Sequence, residues 1–295
     1  MRKLIIAILA VMIVAASAAA QNAPTLRIVE SNGPGLPADL YYGDIKVKPV
    51  RVRPGTNQRI TIDDADFFVM EHYFDFLNRY PDAGGLSYWT SQITQCGTNA
   101  SCVDQARITV SAAFFIELEF KNTGYYVYRF YKGALARKPT YEEFMPDRRL
   151  VVGGANEEAG RASYAETFTQ RPEFTQKYPA TMTPTQFVNA LLATVKQISN
   201  VDLSSQASFY VGELNSGQTR GQVVRQVIET PAFDQSQNNE AFVRMQYFGY
   251  LRRNPDEGGE AFWLNILNNK LPNDATGYRA MVAAFILSKE YRERF

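Results

Sequence analysis

Two eleven-residue stretches, RYPDAGGLSYW (79–89) and RNPDEGGEAFW (253–263), share arginine, proline, aspartate, paired glycines and an aromatic–tryptophan close at identical spacing. They stand 174 positions apart. Either the chain carries one site twice or it is built from one unit more than once. The flanking residues decide between these. Val69, Tyr73, Leu77, Arg79 and Pro81 reappear at the same offset as Val243, Tyr247, Leu251, Arg253 and Pro255, and again at an offset of 58 as Val127, Tyr131, Leu135, Arg137 and Pro139. The apolar members fall at i, i+4 and i+8, one face of a helix.

Each copy also closes alike, in FFIELEF (114–120), FTQRPEF (168–174), VIETPAF (227–233) and FILSKEY (285–291). The third close implies a degenerate copy beginning at Phe187-Val188, where Leu192 replaces the tyrosine and Arg-x-Pro is missing. A period of 55 to 61 residues indicates an array of supersecondary units, each unable to bury its apolar face alone. The punctuation within a copy predicts three helices. The first runs from about Asp64 to Tyr80 and ends before Pro81, the second starts at Asp82 and carries Leu86, Trp89 and Ile93, and the third carries Ile108, Ala112 and Phe115. The expected fold is therefore all-α, a tandem array of about four three-helix units over 64–295, with copies near 64–123, 124–180, 181–236 and 237–295. Residues 21–63 are different. TLRIVE, LYYGDIKVKPVRVRP and QRITI are extended, β-branched and interrupted by Pro and Gly, and read as short strands or an extended arm.

The pattern YFDFLNRYPDAGGLSYW followed by SAAFFIELEF resembles the bacterial domain of unknown function 4214. This helical module is often found in tandem in exported and cell-surface proteins, and is similar to the helical domain of phycobilisome linker polypeptides. The first and fourth copies carry the resemblance well, the second in part, and the third only in its apolar skeleton. What it implies is architecture and an exported context. The family offers no catalytic residues to carry over.

The first residues agree with export. Arg2 and Lys3 precede an apolar run from Leu4 to Val14, and Ala18-Ala19-Ala20 offers a cleavage site near Ala20, so 1–20 reads as a signal peptide. The expected location is secreted, periplasmic or extracellular, with no membrane span after cleavage. A formal net charge of +1 gives no electrostatic reason to expect nucleic acid. The two cysteines, Cys96 and Cys102 in CGTNASC, are expected to form a disulfide in an oxidising compartment.

The residues that invite chemistry are better read as scaffold. His72 is the one histidine. Phe130 and Gln246 take its place in other copies, so an ordinary surface or partly buried histidine is expected. Asp82 and Asp256 precede glycines, but their counterpart Thr140 caps a helix as aspartate does and is a poor metal ligand. Thr140 is followed by Glu143, a capping box. The shared requirement is an N-cap, so the motif is a helix–Pro–cap–helix corner. Tyr73, Trp89, Tyr131, Tyr247 and Trp263 lie on apolar spacings and are expected in the core, with Tyr210 at the tryptophan's place in the third copy. Arg148-Arg149 and Arg252-Arg253 read as solvated faces. Arg79, Arg137 and Arg253 occur with Glu119, Glu173 and Glu290, and the degenerate copy lacks both, with Ala232 at the glutamate position. Joint presence and absence predict three ion pairs.

The sequence thus supports a non-catalytic interaction module with no cofactor, metal or catalytic residue assigned, and an envelope protein or glycan as partner. A glycan-binding protein using exposed aromatics is the alternative. A carboxylate-based hydrolase is the least favoured.

Overall fold

The structure, a computed structural model, describes residues 58–295 except 117, 273 and 274, together with the backbone of four short upstream strands. The expected signal peptide (1–20) lies outside the described residues. Strands β1 (Leu26–Val29), β2 (Asp39–Tyr42) and β3 (Ile45–Val47) pair antiparallel in that order, with Leu26 opposite Tyr42 and Tyr42 opposite Ile45. A second small ribbon pairs β4 (Arg51–Val52) with β5 (Arg59–Ile60).

From residue 65 onward the described chain is helical, and the fold is all-α. Helix α1 (Ala65–His72) continues as a π-helical turn (Tyr73–Leu77) and is followed by α2 (Ala83–Thr94), α3 (Ala100–Ile116) and α4 (Leu118–Asn122). Next come α5 (Gly124–Leu135), α6 (Tyr141–Asp147), α7 (Glu157–Phe168) and α8 (Pro172–Lys177). Then follow α9 (Pro184–Ser199), α10 (Ala207–Asn215) and α11 (Arg220–Ile228). The last are α12 (Pro231–Gln246, with a π-turn Tyr247–Leu251), α13 (Glu257–Asn265, with a π-turn Ile266–Lys270), α14 (Ala275–Ile286) and α15 (Lys289–Arg292). No helix among the described residues is long and apolar enough to cross a membrane.

Three details depart from the sequence reading. The first helix stops at Leu77, three residues short of Tyr80, because Asn78 adopts a left-handed backbone (φ 55°). The closing segments of the first, second and fourth copies contain short helices of their own (α4, α8, α15), so those three have four α-helices each. Helix α12 begins at Pro231 and runs across the expected boundary between the third and fourth copies.

The centre of the molecule is α5, all twelve of whose residues are buried. Two of them are cations. Arg129 donates to Asp234 Oδ1 (2.7 Å), and Lys132 Nζ lies 2.6 Å from Glu240 Oε2. Burial alone would raise Glu240, but Lys132 and Lys138 beside it bring its pKa down to about 2. A buried charge without a partner costs far more than it returns, so these pairs fix which face of α12 meets α5.

Candidate functional site

The repeated motif forms the same corner wherever it occurs. Asn78, Ala136 and Arg252 are left-handed (φ 55°, 61° and 53°), and the next amide, of Arg79, Arg137 or Arg253, reaches back to the carbonyl of Tyr73, Tyr131 or Tyr247 at 3.4–3.5 Å. That six-residue closure ends the helix and satisfies a terminal carbonyl. Proline follows, and then the cap. Asp82 accepts from Gly85 N and Asp256 from Gly259 N, each at 2.8 Å, while Thr140 accepts from Glu143 N within a full capping box.

Each arginine is held on three sides. Arg79 forks onto Glu119 (2.6 and 2.7 Å), Arg137 onto Glu173 (2.6 and 2.6 Å) and Arg253 onto Glu290 (2.6 and 3.0 Å). Their guanidinium carbons lie 4.9, 5.1 and 5.2 Å from the ring centroids of Tyr73, Tyr131 and Tyr247. Each also donates to the carbonyl of the residue after it, Tyr80, Lys138 or Asn254. The glutamates sit in the first turn of α4, α8 and α15, where a helix favours negative charge. Gly153 lets the chain press against Glu119, since a β-carbon there would overlap that side chain.

The second glycine of the pair has a steric role. A β-carbon on Gly85 would overlap the Tyr73 hydroxyl, and one on Gly259 the Tyr247 hydroxyl. In the second corner the equivalent residue is Glu143, and Tyr131 turns elsewhere. Its hydroxyl donates to Asp147 Oδ2 (2.7 Å), which also takes Tyr164 (2.8 Å) and Arg171 (2.7 Å). Glu143 meanwhile joins Glu173 on Arg137 (2.8 and 2.9 Å).

The first and fourth segments meet through their helix ends. Phe76 and Tyr250, equivalent residues 174 apart, stack edge to face at 5.0 Å. His72 is fully buried, contrary to the surface or half-buried setting expected of it. Its Nδ1–H donates to Phe68 O (2.7 Å), and Nε2 accepts from Ser111 Oγ (2.7 Å), which is in turn hydrogen-bonded to the Tyr250 hydroxyl. Burial drives the imidazole pKa down to about 4, so it is neutral. Asp75 is also buried. Burial would raise it, but Arg294, which forks onto it at 2.8 and 2.9 Å, and Arg252 at 3.5 Å hold it below the usual carboxylate range. Arg294 further donates to the carbonyls of Gly249 and Tyr250 (2.9 and 2.8 Å), and Arg148 to those of Phe74 and Asp75 (3.0 and 2.5 Å). Arg148 is therefore buried and not solvated as its basic dipeptide suggested. Two helix C-termini converge here, and cations neutralise their dipoles. Neither His72 nor Asp75 recurs at the equivalent place of another copy, so a comparison of copies carries no sign of this cluster.

The surface carries a different recurrence. Trp89 and Trp263 are only partly buried, a correction to their expected core placement, because α2 and α13 lie on the outside with a single buried residue each, Ile93 and Glu260. Their inner edges meet Phe114 (5.6 Å) and Phe285 (6.3 Å), while Tyr73, Tyr131 and Tyr247 are buried. The ring before each is exposed: Tyr88 at 57%, Phe262 at 56%, and Phe209, before Tyr210, at 58%. All three stand edge-on to their inner neighbour, with centroids 4.9, 5.1 and 5.3 Å apart. Around Tyr88, no residue from Ala83 to Val103 carries a charge, and Ser87, Ser91, Gln95, Thr98 and Asn99 are exposed beside it. The Cys96–Cys102 bridge (Cα–Cα 5.5 Å) closes the end of this face. That charge-free run was the legible signal for this surface.

The model of the domain of unknown function DUF4214 matches residues 229–295, so the segment from the end of α11 to the C-terminus carries a DUF4214 domain. No curated protein and no solved structure matches the chain.

Proposed function

We propose that the chain is an exported, non-catalytic helical-repeat module that binds a partner of the cell envelope through the charge-free aromatic face of α2 and its counterparts on α10 and α13. The observation that carries this reading is the exposed outer ring at the same place on three helices, Tyr88, Phe209 and Phe262. Large apolar rings beside hydroxyls and amides, on helices of which α2 and α13 adjoin corner ion pairs, are the composition of a preorganised contact surface. The tandem arrangement is supported by the internal sequence period and the three like corners. Export is supported by the leader-like first residues and by the Cys96–Cys102 bridge, which belongs to an oxidising compartment.

The glycan reading is favoured by the same rings, which suit stacking against sugar faces. The hydrolase reading loses support from the corner carboxylates. Arg137 holds Glu173 below its usual range and, against the effect of burial, Glu143 as well, whereas a general acid needs a raised pKa.

The test is a pull-down from cell-envelope fractions with the full chain and with a Tyr88→Ala/Phe262→Ala variant. Both side chains are exposed, so the variant should keep its fold. Loss of the captured partner supports the reading, and equal capture by both proteins overturns it.

A further inference from the structure

We propose that a pocket between α12, the π-turn after α13, and α14 binds a neutral sugar unit, at a place distinct from the exposed rings. It shares only its ligand class with the glycan reading. The pocket is an open cleft of about 430 Å³, within the range of small-molecule sites, and is lined mainly by amides and hydroxyls.

Its polar groups are held in place by one another. The Tyr278 hydroxyl donates to Asn239 Oδ1, and Asn238 Nδ2 donates to the Tyr278 oxygen at 3.3 Å. Asn239 Nδ2 donates to Asn268 Oδ1 at 2.6 Å and to the Leu267 carbonyl at 3.4 Å. Asn239 is thereby used on both of its ends and acts as a brace. Asn268 keeps both amide protons, and Asn238 keeps its carbonyl oxygen, for a ligand. The Tyr278 ring is fixed edge-on against Phe242 at 4.7 Å, which sets the orientation of its hydroxyl.

The chemistry selects among ligands. The lining holds one cation, Lys121, and one carboxylate, Asp234, which is already paired with Arg129 at 2.7 Å. A phosphate would meet a single lysine, and a metal ion would meet a carboxylate already bound. Adjacent sugar hydroxyls each donate and accept, and a planar amide answers both roles without desolvating a charge. Braced amides beside a tyrosine therefore fit a hexose of an uncharged glycan.

The experiment is isothermal titration of the full chain with maltotriose, cellotriose, mannotriose and N,N′-diacetylchitobiose, with a trigalacturonate control. Saturable binding to at least one neutral oligosaccharide is expected, weakened tenfold or more by Asn268→Ala and measurably by Tyr278→Phe, and unchanged by Tyr88→Ala/Phe262→Ala. Asn268 is exposed and Tyr278→Phe keeps the ring packing, so both variants should fold. No saturable binding to the neutral panel, stronger binding of the uronate, or unaltered binding by Asn268→Ala overturns the proposal. If the sugar is lost instead in the Tyr88/Phe262 variant, the glycan sits on the rings and the pocket assignment fails while the glycan reading stands.

Discussion

The Tyr73 hydroxyl occupies the space that a β-carbon on Gly85 would need, and Tyr247 stands in the same relation to Gly259. The paired glycines of the repeated motif are therefore half steric. The first glycine has room, whereas the second is the floor on which a buried tyrosine rests. Gly85→Ala should destabilise the chain by about 1–3 kcal/mol through overpacking. Tyr73→Phe in the same chain should return part of that loss by removing the overlapping atom. Urea unfolding of the two single variants and the double variant checks this. Additive losses would show that the two residues do not compete for space.

The three corner ion pairs differ in exposure, and their coupling should follow it. Arg79 and Glu119 are each about a quarter exposed (26% and 22%), Arg253 and Glu290 nearly half (41% and 46%). A double-mutant cycle with methionine and glutamine should give roughly 1–2 kcal/mol for Arg79–Glu119 and nearer ~0.5 kcal/mol for Arg253–Glu290. Removing Glu119 alone should cost more than removing both partners, since it strands a half-buried guanidinium. Equal coupling in the two pairs would contradict the ranking.

His72 gives the chain a pH dependence with a definite sign. In the folded chain the imidazole stays neutral down to about pH 4, while in the unfolded chain it takes its proton near 6.5. The unfolded state binds more protons between those values. The stability held above pH 6.5 is therefore lost as the pH falls toward 4, by up to roughly 3 kcal/mol. His72→Gln, which installs the residue found at the buried equivalent position 246, should flatten that decline. Asp63, Glu143 and Glu173, held low by arginines, act below about pH 4.5 and are common to both proteins. Chemical denaturation at pH 7, 6, 5 and 4.5 separates the two, and parallel slopes would refute the role of His72.

Ala136 is the one corner residue whose left-handed backbone has neither a short polar side chain nor an observed charge partner to go with it. Ala136→Gly should raise stability by about 0.5–1 kcal/mol, the left-handed penalty less the glycine's added freedom when unfolded. For a chain of this size that is a rise of a few degrees in Tm. A fall would place the strain elsewhere.

What could be read from the sequence was what recurs. Arg79, Arg137 and Arg253 vary together with their glutamates, and Asp82, Thr140 and Asp256 hold one place with two residue types, so comparing copies gave both their partners and their tasks. Contacts between unlike segments leave no such trace. Arg294 on Asp75, Arg129 on Asp234, and His72 through Ser111 to Tyr250 each occur once and span 219, 105 and up to 139 residues. The exposure of the outer rings is not legible in the sequence for another reason. Periodicity places Trp89 and Trp263 on the apolar face, but it does not say that nothing covers α2 and α13 from outside.

The meeting of the first and last segments has a mechanical consequence. Asp63, before α1, holds Arg292 at 2.7 Å, and Asp75 holds Arg294, so both ends of the helical body enter at one seam. Tension applied between residues 58 and 295 would open that seam contact by contact, as a zipper, and would reach the α5 core only afterwards. The same chain pushed from its flanks, at α2 and α13, would load the corners instead, where each helix pair is bolted by an arginine. A body of this kind yields early when pulled by its ends and resists on its outer faces.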